Sequence, residues 1–212
     1  MTRVLIVDDE RNIRKAFRAD IEAAGDRYLL LDAITNAADA EMICRSRRVD
    51  LVLMDINTAK NESGIEAAGR IKKYCPRTKI IIVTSYSDPH AIEEARAVGA
   101  DSFWFKDQSP VELIEVMDRT VSGENYWPKQ NPDVVLGDIS FHELTGTEKE
   151  VLYQLVRCIS IRKMAETMCI EETTVKYHLK NICQKTGCRN KTELMVLAIQ
   201  NRLVLPVKDA DI

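Results

Sequence analysis

Short apolar runs alternate with helically spaced apolar stripes over about the first 120 residues. The runs are Val4-Leu5-Ile6-Val7, Leu29-Leu30-Leu31, Leu51-Val52-Leu53-Met54, Ile80-Ile81-Ile82-Val83 and Phe103-Trp104-Phe105. None alternates apolar with polar, which is the pattern of strands buried on both faces of a parallel sheet. Between them Ile13, Phe17, Ile21 and Ala24 recur at helical spacing, Asn36 can cap a helix bearing Ala40 and Ile43, and Ile65, Ala68 and Ile71 form another stripe. Asp88-Pro89 and Ser109-Pro110 each set a capping side chain before a proline, whose fixed φ and missing N–H suit the first helical position. Five strand-helix pairs predict a doubly wound α/β fold with a parallel five-stranded sheet. Its ligand crevice should lie beyond the carboxyl ends of the strands.

From Ser122 to Phe141 the periodicity fades, and Gly123, Pro128, Pro132 and Gly137 punctuate a mainly polar stretch that reads as a linker. After it the pattern is helical only. Thr145 with Glu148 three positions on forms a capping box ahead of Val151, Leu152, Leu155 and Val156. A second helix follows Ser160 with Met164, Ala165 and Met168 inward, and Cys169-Ile170-Glu171 supplies a short turn. A third carries Val175, Leu179 and Ile182 and ends at Gly187; a fourth, capped by Asn190 with Glu193, carries Leu194, Leu197 and Ala198. The expected organisation is an α/β domain at 1–121, a linker at 122–141 and a small all-α domain at 142–212.

Composition is that of an ordinary globular chain: 212 residues, 45% apolar and 30% charged. No apolar run approaches the ~18 residues of a membrane span, and Asp8-Asp9 interrupt the first run too early for a secretory signal, so a cytoplasmic protein off the membrane is expected. Six scattered cysteines with no Cys-x-x-Cys pair argue against structural zinc. The net charge of -3 divides unevenly. Residues 1–122 hold 18 Lys/Arg against 21 Asp/Glu, residues 123–142 one against three, and residues 143–212 eleven against nine. Within 173–205, Lys176, Lys180, Lys185, Arg189, Lys191 and Arg202 face Glu193 alone, which suggests an anionic partner for the last part.

Acidic residues fall at strand ends: Asp8 and Asp9 after the first strand and Asp55 after the third. If the first and third strands are neighbours, the three carboxylates converge and repel, which favours a cation; hard oxygen ligands with room for water favour Mg²⁺. Thr84 after the fourth strand and Lys106 after the fifth bring a hydroxyl and a cation to the same rim. The set reads as a phosphoryl site in which the metal and Lys106 neutralise phosphoryl oxygens, Thr84 donates a hydrogen bond and one carboxylate attacks.

These residues resemble the receiver domain of two-component response regulators over residues 3–120. The resemblance implies that Asp55 is the phosphoacceptor, that Asp8 and Asp9 hold Mg²⁺ with the backbone carbonyl of Asn57, that Thr84 is the switch hydroxyl, Phe103 the switch aromatic and Lys106 the phosphoryl-binding lysine. Phosphorylating Asp55 and pulling Thr84 toward the new oxygens would give two states that differ in local packing. The chain departs from the family pattern at Thr58-Ala59, where Met-Pro is usual, at the late Gly64, at Asp107 in place of the proline after Lys106, and at Ser85, where Ala or Gly is common. The departures keep open a receiver that works without phosphorylation. An aspartyl-phosphate phosphatase built on Asp55-Ile56-Asn57-Thr58 is disfavoured, because Asn57 cannot act as the second carboxylate such enzymes use.

The third helix of the last domain places Lys176, Tyr177, Lys180 and Gln184 opposite its apolar stripe, in helix-turn-helix order suited to the major groove. The segment from Leu144 to Ile199 resembles the LuxR/FixJ-type helix-turn-helix of the NarL class of response regulators. It does so through Leu144-Thr145, Glu148, Glu150-Val151-Leu152, Met164-Ala165-Glu166, Thr174-Val175-Lys176-Tyr177-His178-Leu179, Ile182, Lys185 and Thr192-Glu193-Leu194. Thr147 and Cys158 replace a common arginine and glycine. The resemblance implies a DNA-binding regulator rather than a metabolic enzyme, with Thr174, Lys176, Tyr177, Lys180 and Gln184 toward DNA. It also implies a sensor histidine kinase as phosphodonor and a homodimer on its operator.

Overall fold

The structure, a computed structural model, describes residues 1–88, 90–107, 109–129, 132–157 and 160–203. Pro89 and Cys158, singled out above, lie outside the described residues. The chain forms two compact units: Met1–Ser85 with His90–Gln130, and Asn131–Ile212 with Tyr86–Pro89. Among the described residues no helix is long and apolar enough to cross a membrane.

In the first unit, β1 (Thr2–Val7), β2 (Tyr28–Ile34), β3 (Leu51–Asp55), β4 (Lys79–Thr84) and β5 (Ser102–Phe105) form one parallel sheet in the order β2-β1-β3-β4-β5. The apolar runs are central because both faces are covered: Val4 to Val7, Leu51 to Met54 and Ile80 to Val83 are all fully buried. The edge strand β2 is only half-buried. Helices α1 (Arg11–Ala23), α2 (Ala37–Ser46), α3 (Gly64–Tyr74) and α4 (Ala91–Ala97) connect the strands, and α5 (Leu113–Ser122) follows the last of them. Phe17 and Ile21 of α1 pack with Val4, Ile6, Leu53 and Trp104 in one core; burying each such side chain contributes roughly 1.5–3 kcal/mol. Asn36 caps α2 as expected, accepting from the Ala38 N–H at 3.0 Å. Ser109 does not start α5: its hydroxyl accepts from Val111 N–H in a local turn, the Val111 carbonyl accepts from the Trp104 indole at 2.7 Å, and the helix begins only at Leu113.

The second unit contains a hairpin, β6 (Val135–Leu136) and β7 (Ile139–Ser140), then α6 (Gly146–Arg157), α7 (Ile161–Met168), α8 (Glu172–Thr186) and α9 (Lys191–Gln200). The capping box is formed: Glu148 accepts from Thr145 N–H at 2.8 Å and the Thr145 hydroxyl from Glu148 N–H at 3.3 Å. Gly187 ends α8 in the left-handed conformation, and Asn190 caps α9 through Thr192 and Glu193 N–H. The hairpin occupies residues expected to be plain linker. Val134, Leu136 and Phe141 are buried in the core of this unit, and Gly137, at φ +60, sits so close to α8 that a Cβ would lie 2.0 Å from the Thr186 carbonyl oxygen. Three apolar residues spaced among prolines and acids were too sparse a signal for periodicity to detect.

Candidate functional site

Strand register assembles the first site. The order reverses between β1 and β3, where an α/β sheet opens its crevice. Val7 pairs with Met54, so Asp8 and Asp55 emerge side by side; Asp55 pairs with Val83, just before Thr84; Thr84 pairs with Phe105, just before Lys106. Four strand ends thus deliver the residues expected of them to one rim.

Asp8 is fully buried, Asp55 nearly so, and Asp9 exposed; one oxygen from each lies within 4.8 Å of the others, a set able to hold a metal ion. The buried Lys106 ammonium bridges Asp8 at 2.6 Å and Asp55 at 2.9 Å. Arg14 of α1 donates to the Asp8 carbonyl at 2.7 Å, and Asp8 accepts from Glu10 N–H at 2.8 Å, which fixes the turn into α1. Three carboxylates against one ammonium leave a charge deficit that hard cations meet with oxygen ligands. Burial pushes the Asp55 carboxyl up to about 7, Lys106 opposes that rise, and Asp8 and Asp9 add to it. Burial alone would lower the Lys106 ammonium, but the two carboxylates outweigh it and hold it above its ordinary value. Thr84 is fully buried at the end of β4, and Phe103 is fully buried on β5. Asn57 follows β3 and bridges to Ser63 across the loop.

The atypical loop has its own anchors. The Thr58 hydroxyl accepts from Ala37 N–H at 3.0 Å and donates to the Glu62 carbonyl at 2.8 Å, while Ala59 N–H bonds the Thr35 carbonyl. Thr58 therefore ties the loop after Asp55 to the start of α2. Gly64 is required where it stands, because a Cβ there would fall 1.8 Å from the Asp55 carbonyl oxygen. Its late place after Asp55 was visible in the sequence; its contact was not.

In the second unit, α7, a turn through the left-handed Cys169, and α8 form a helix-turn-helix. Val175, Leu179, Ile182 and Thr186 face the core, and Lys176, Tyr177, Lys180 and Gln184 lie exposed on the other side, with Tyr177 at 62%. Lys176 is tethered loosely to Glu172 at 3.6 Å, Tyr177 packs edge-on against His178, and Thr174 is half-buried in the first turn. Lys185 is not part of this basic face: it pairs with the buried Glu148 at 2.8 Å and joins α8 to the cap of α6.

A family model described as "Response regulator receiver domain" matches residues 4–118, and one described as "Bacterial regulatory proteins, luxR family" matches residues 142–198. The chain belongs to the response-regulator family, with a receiver domain followed by a LuxR-family regulatory domain. Over 95% of its length it is 30% identical to the transcriptional regulatory protein YxjL of Bacillus subtilis (strain 168), spanning 97% of that protein. Its identity to the transcriptional regulatory protein YdfI of the same organism is 31%, over 96% of this chain and 98% of YdfI. Its fold resembles that of RcsB from Salmonella enterica serovar Typhimurium, a structure bound to promoter rprA with BeF3-. The TM-score is 0.59 at 16% identity, covering 93% of this chain and 98% of that one.

Proposed function

We propose that this chain is a two-component response regulator in which phosphorylation of Asp55 modulates sequence-specific DNA binding. The observation that carries the reading is the Lys106 ammonium bridging Asp8 and Asp55 at the sheet's switch point. A carboxylate oxygen of Asp55 attacks the phosphorus of a phosphohistidine on a sensor kinase, the P–N bond breaks, and an aspartyl phosphate forms. Lys106 follows the new phosphoryl oxygens, Thr84 donates to one of them, and Phe103 responds in the packing behind it. Asp8, Asp9 and Asp55 with the Asn57 carbonyl would hold Mg²⁺, which supplies positive charge against the phosphoryl oxygens when bound.

The receiver is assigned to 1–121, the connecting segment to 122–141 and the DNA-binding domain to 142–212. On the last, Lys176 and Lys180 meet phosphates or guanine edges, Tyr177 offers an apolar or hydroxyl contact, and Thr174 and Gln184 flank them. The working form is a homodimer on its operator, in the cytoplasm. Incubation with Mg²⁺ and acetyl phosphate, with Asp55→Asn as control, tests the reading: phosphate incorporation and promoter affinity should both change in the wild type alone. Equal promoter binding by treated and untreated protein would refute it.

A further inference from the structure

We propose that Tyr126 and Trp127 form a strap that positions Phe103 and couples it to the chain leaving the first unit. This rests on Asp55 as acceptor and Thr84 as the hydroxyl that follows it. β5 is one of the two edges of the sheet, and an unpaired edge needs cover. The cover is the segment after α5, which the left-handed Gly123 turns back along β5. The Phe103 N–H donates to the Tyr126 carbonyl at 2.9 Å; the Tyr126 N–H donates to the Ser102 hydroxyl at 3.0 Å, itself 2.7 Å from the Thr120 hydroxyl. The Trp127 ring lies tilted over Phe103 with centroids 6.5 Å apart, and the Arg96 guanidinium of α4 sits 4.3 Å from the Trp127 centroid.

What this strap grips faces the acceptor. Strand neighbours in register share a face, so Phe105 lies on the Thr84 face, and Phe103, two residues back, lies on it too. The rings of Phe103 and Phe105 meet edge to face at 5.1 Å. Lys106 binds the Asp55 carboxylate directly, so these contacts belong to the unmodified side chain. A group on Asp55 that draws Thr84 toward it opens room on that face. Phe103 enters the room by turning its ring from Trp127, which leaves the strap held on β5 by the Phe103 N–H and the Ser102 hydroxyl alone. The strap therefore opposes the occupied state, and by reciprocity the occupied state loosens the strap. Further along the chain, the hairpin β6-β7 packs against the end of α8, so the segment that grips Phe103 leads into the brace of the reader helix.

The full-length chain with Mg²⁺ and beryllofluoride tests this, with binding followed by fluorine NMR and backbone amides by hydrogen exchange. Expected are Asp55-dependent binding, at least about 5-fold faster exchange at the Phe103 and Tyr126 amides on binding, and a beryllofluoride dissociation constant lowered about 5-fold or more by Trp127→Ala. Trp127→Phe keeps a ring over Phe103 and should restore most of the wild-type affinity. Absence of Asp55-dependent binding overturns the acceptor reading and the strap together. Binding with unchanged exchange at both amides, or with equal or weaker affinity in Trp127→Ala, overturns the strap alone. The exchange measurement needs no variant, so it decides the matter even if Trp127→Ala fails to fold.

Discussion

Asp55→Asn should make the receiver more stable, although it removes the residue on which the site depends. The Asp55 carboxyl is nearly buried beside Asp8, and its pKa stands at about 7 against an ordinary 3.8. Asparagine stands in for the protonated acid: neutral, of similar shape, and still an acceptor for Lys106, which keeps Asp8 at 2.6 Å. Below pH ~4 both folded and unfolded Asp55 are protonated, and the wild type bears no penalty. Between pH ~4 and ~7 the unfolded chain has released its proton and the folded chain has not, so wild-type stability falls as pH rises; above ~7 the loss is complete. Three pKa units at about 1.4 kcal/mol each set a ceiling of about 4 kcal/mol, and a gain of about 2–4 kcal/mol is expected at pH 8. Both tryptophans of the chain, Trp104 and Trp127, lie in the first unit, so urea unfolding followed by fluorescence in chelator reports the receiver alone. The gap should close as pH drops toward 4, and Mg²⁺ should narrow it at pH 8 by stabilising the wild type more. Equal stabilities at pH 8, or a gap that widens toward acid, would refute the reasoning.

Lys180→Ala should weaken promoter binding and lower the slope of log affinity against log salt by about 1, measured between 50 and 200 mM salt; an unchanged slope removes Lys180 from the phosphate contacts. Glu148→Gln should cost the second unit about 1–2 kcal/mol, because it unpairs Lys185 and weakens the Thr145 cap, as thermal unfolding would show. Burial alone would raise the Glu148 carboxyl, but Lys185 and Thr145 outweigh it and hold it below its ordinary value. Its contribution is therefore present above the ordinary carboxylate range and lost as pH falls through the lowered value, an acid limb that Glu148→Gln should flatten. Gly64→Ala should destabilise the receiver by about 1–3 kcal/mol and weaken Mg²⁺ binding, because the Asp55 backbone must shift to admit the methyl; a variant with unchanged unfolding and metal affinity would contradict the contact.

Local pattern made much of this molecule legible. Unbroken apolar runs marked the central strands because a strand covered on both faces has no polar side to show. Asp8 with its neighbour Asp9, Asp55, Thr84 and Lys106 stood out because they stand directly after such runs, and the helix-turn-helix because caps and apolar spacing are short-range. Where sequence reading missed, a distant partner had intervened. Trp104 holds Val111 in a turn and delays α5. Glu148 takes Lys185 from the basic face. Thr58 anchors the loop after Asp55 to α2.

The sequence alone determined which residues end the strands, which helices are amphipathic and which polar side chains stand at the strand ends, since all of these depend on neighbours a few positions away. Only the tertiary structure decided that Val7 lies beside Met54, which brings Asp55 to the distant Asp8-Asp9 pair in one site whose burial, with those two charges adding to it, raises Asp55. It also decided that a polar segment after α5 lies on Phe103, because an exposed strand edge takes a backbone partner largely independent of side-chain pattern.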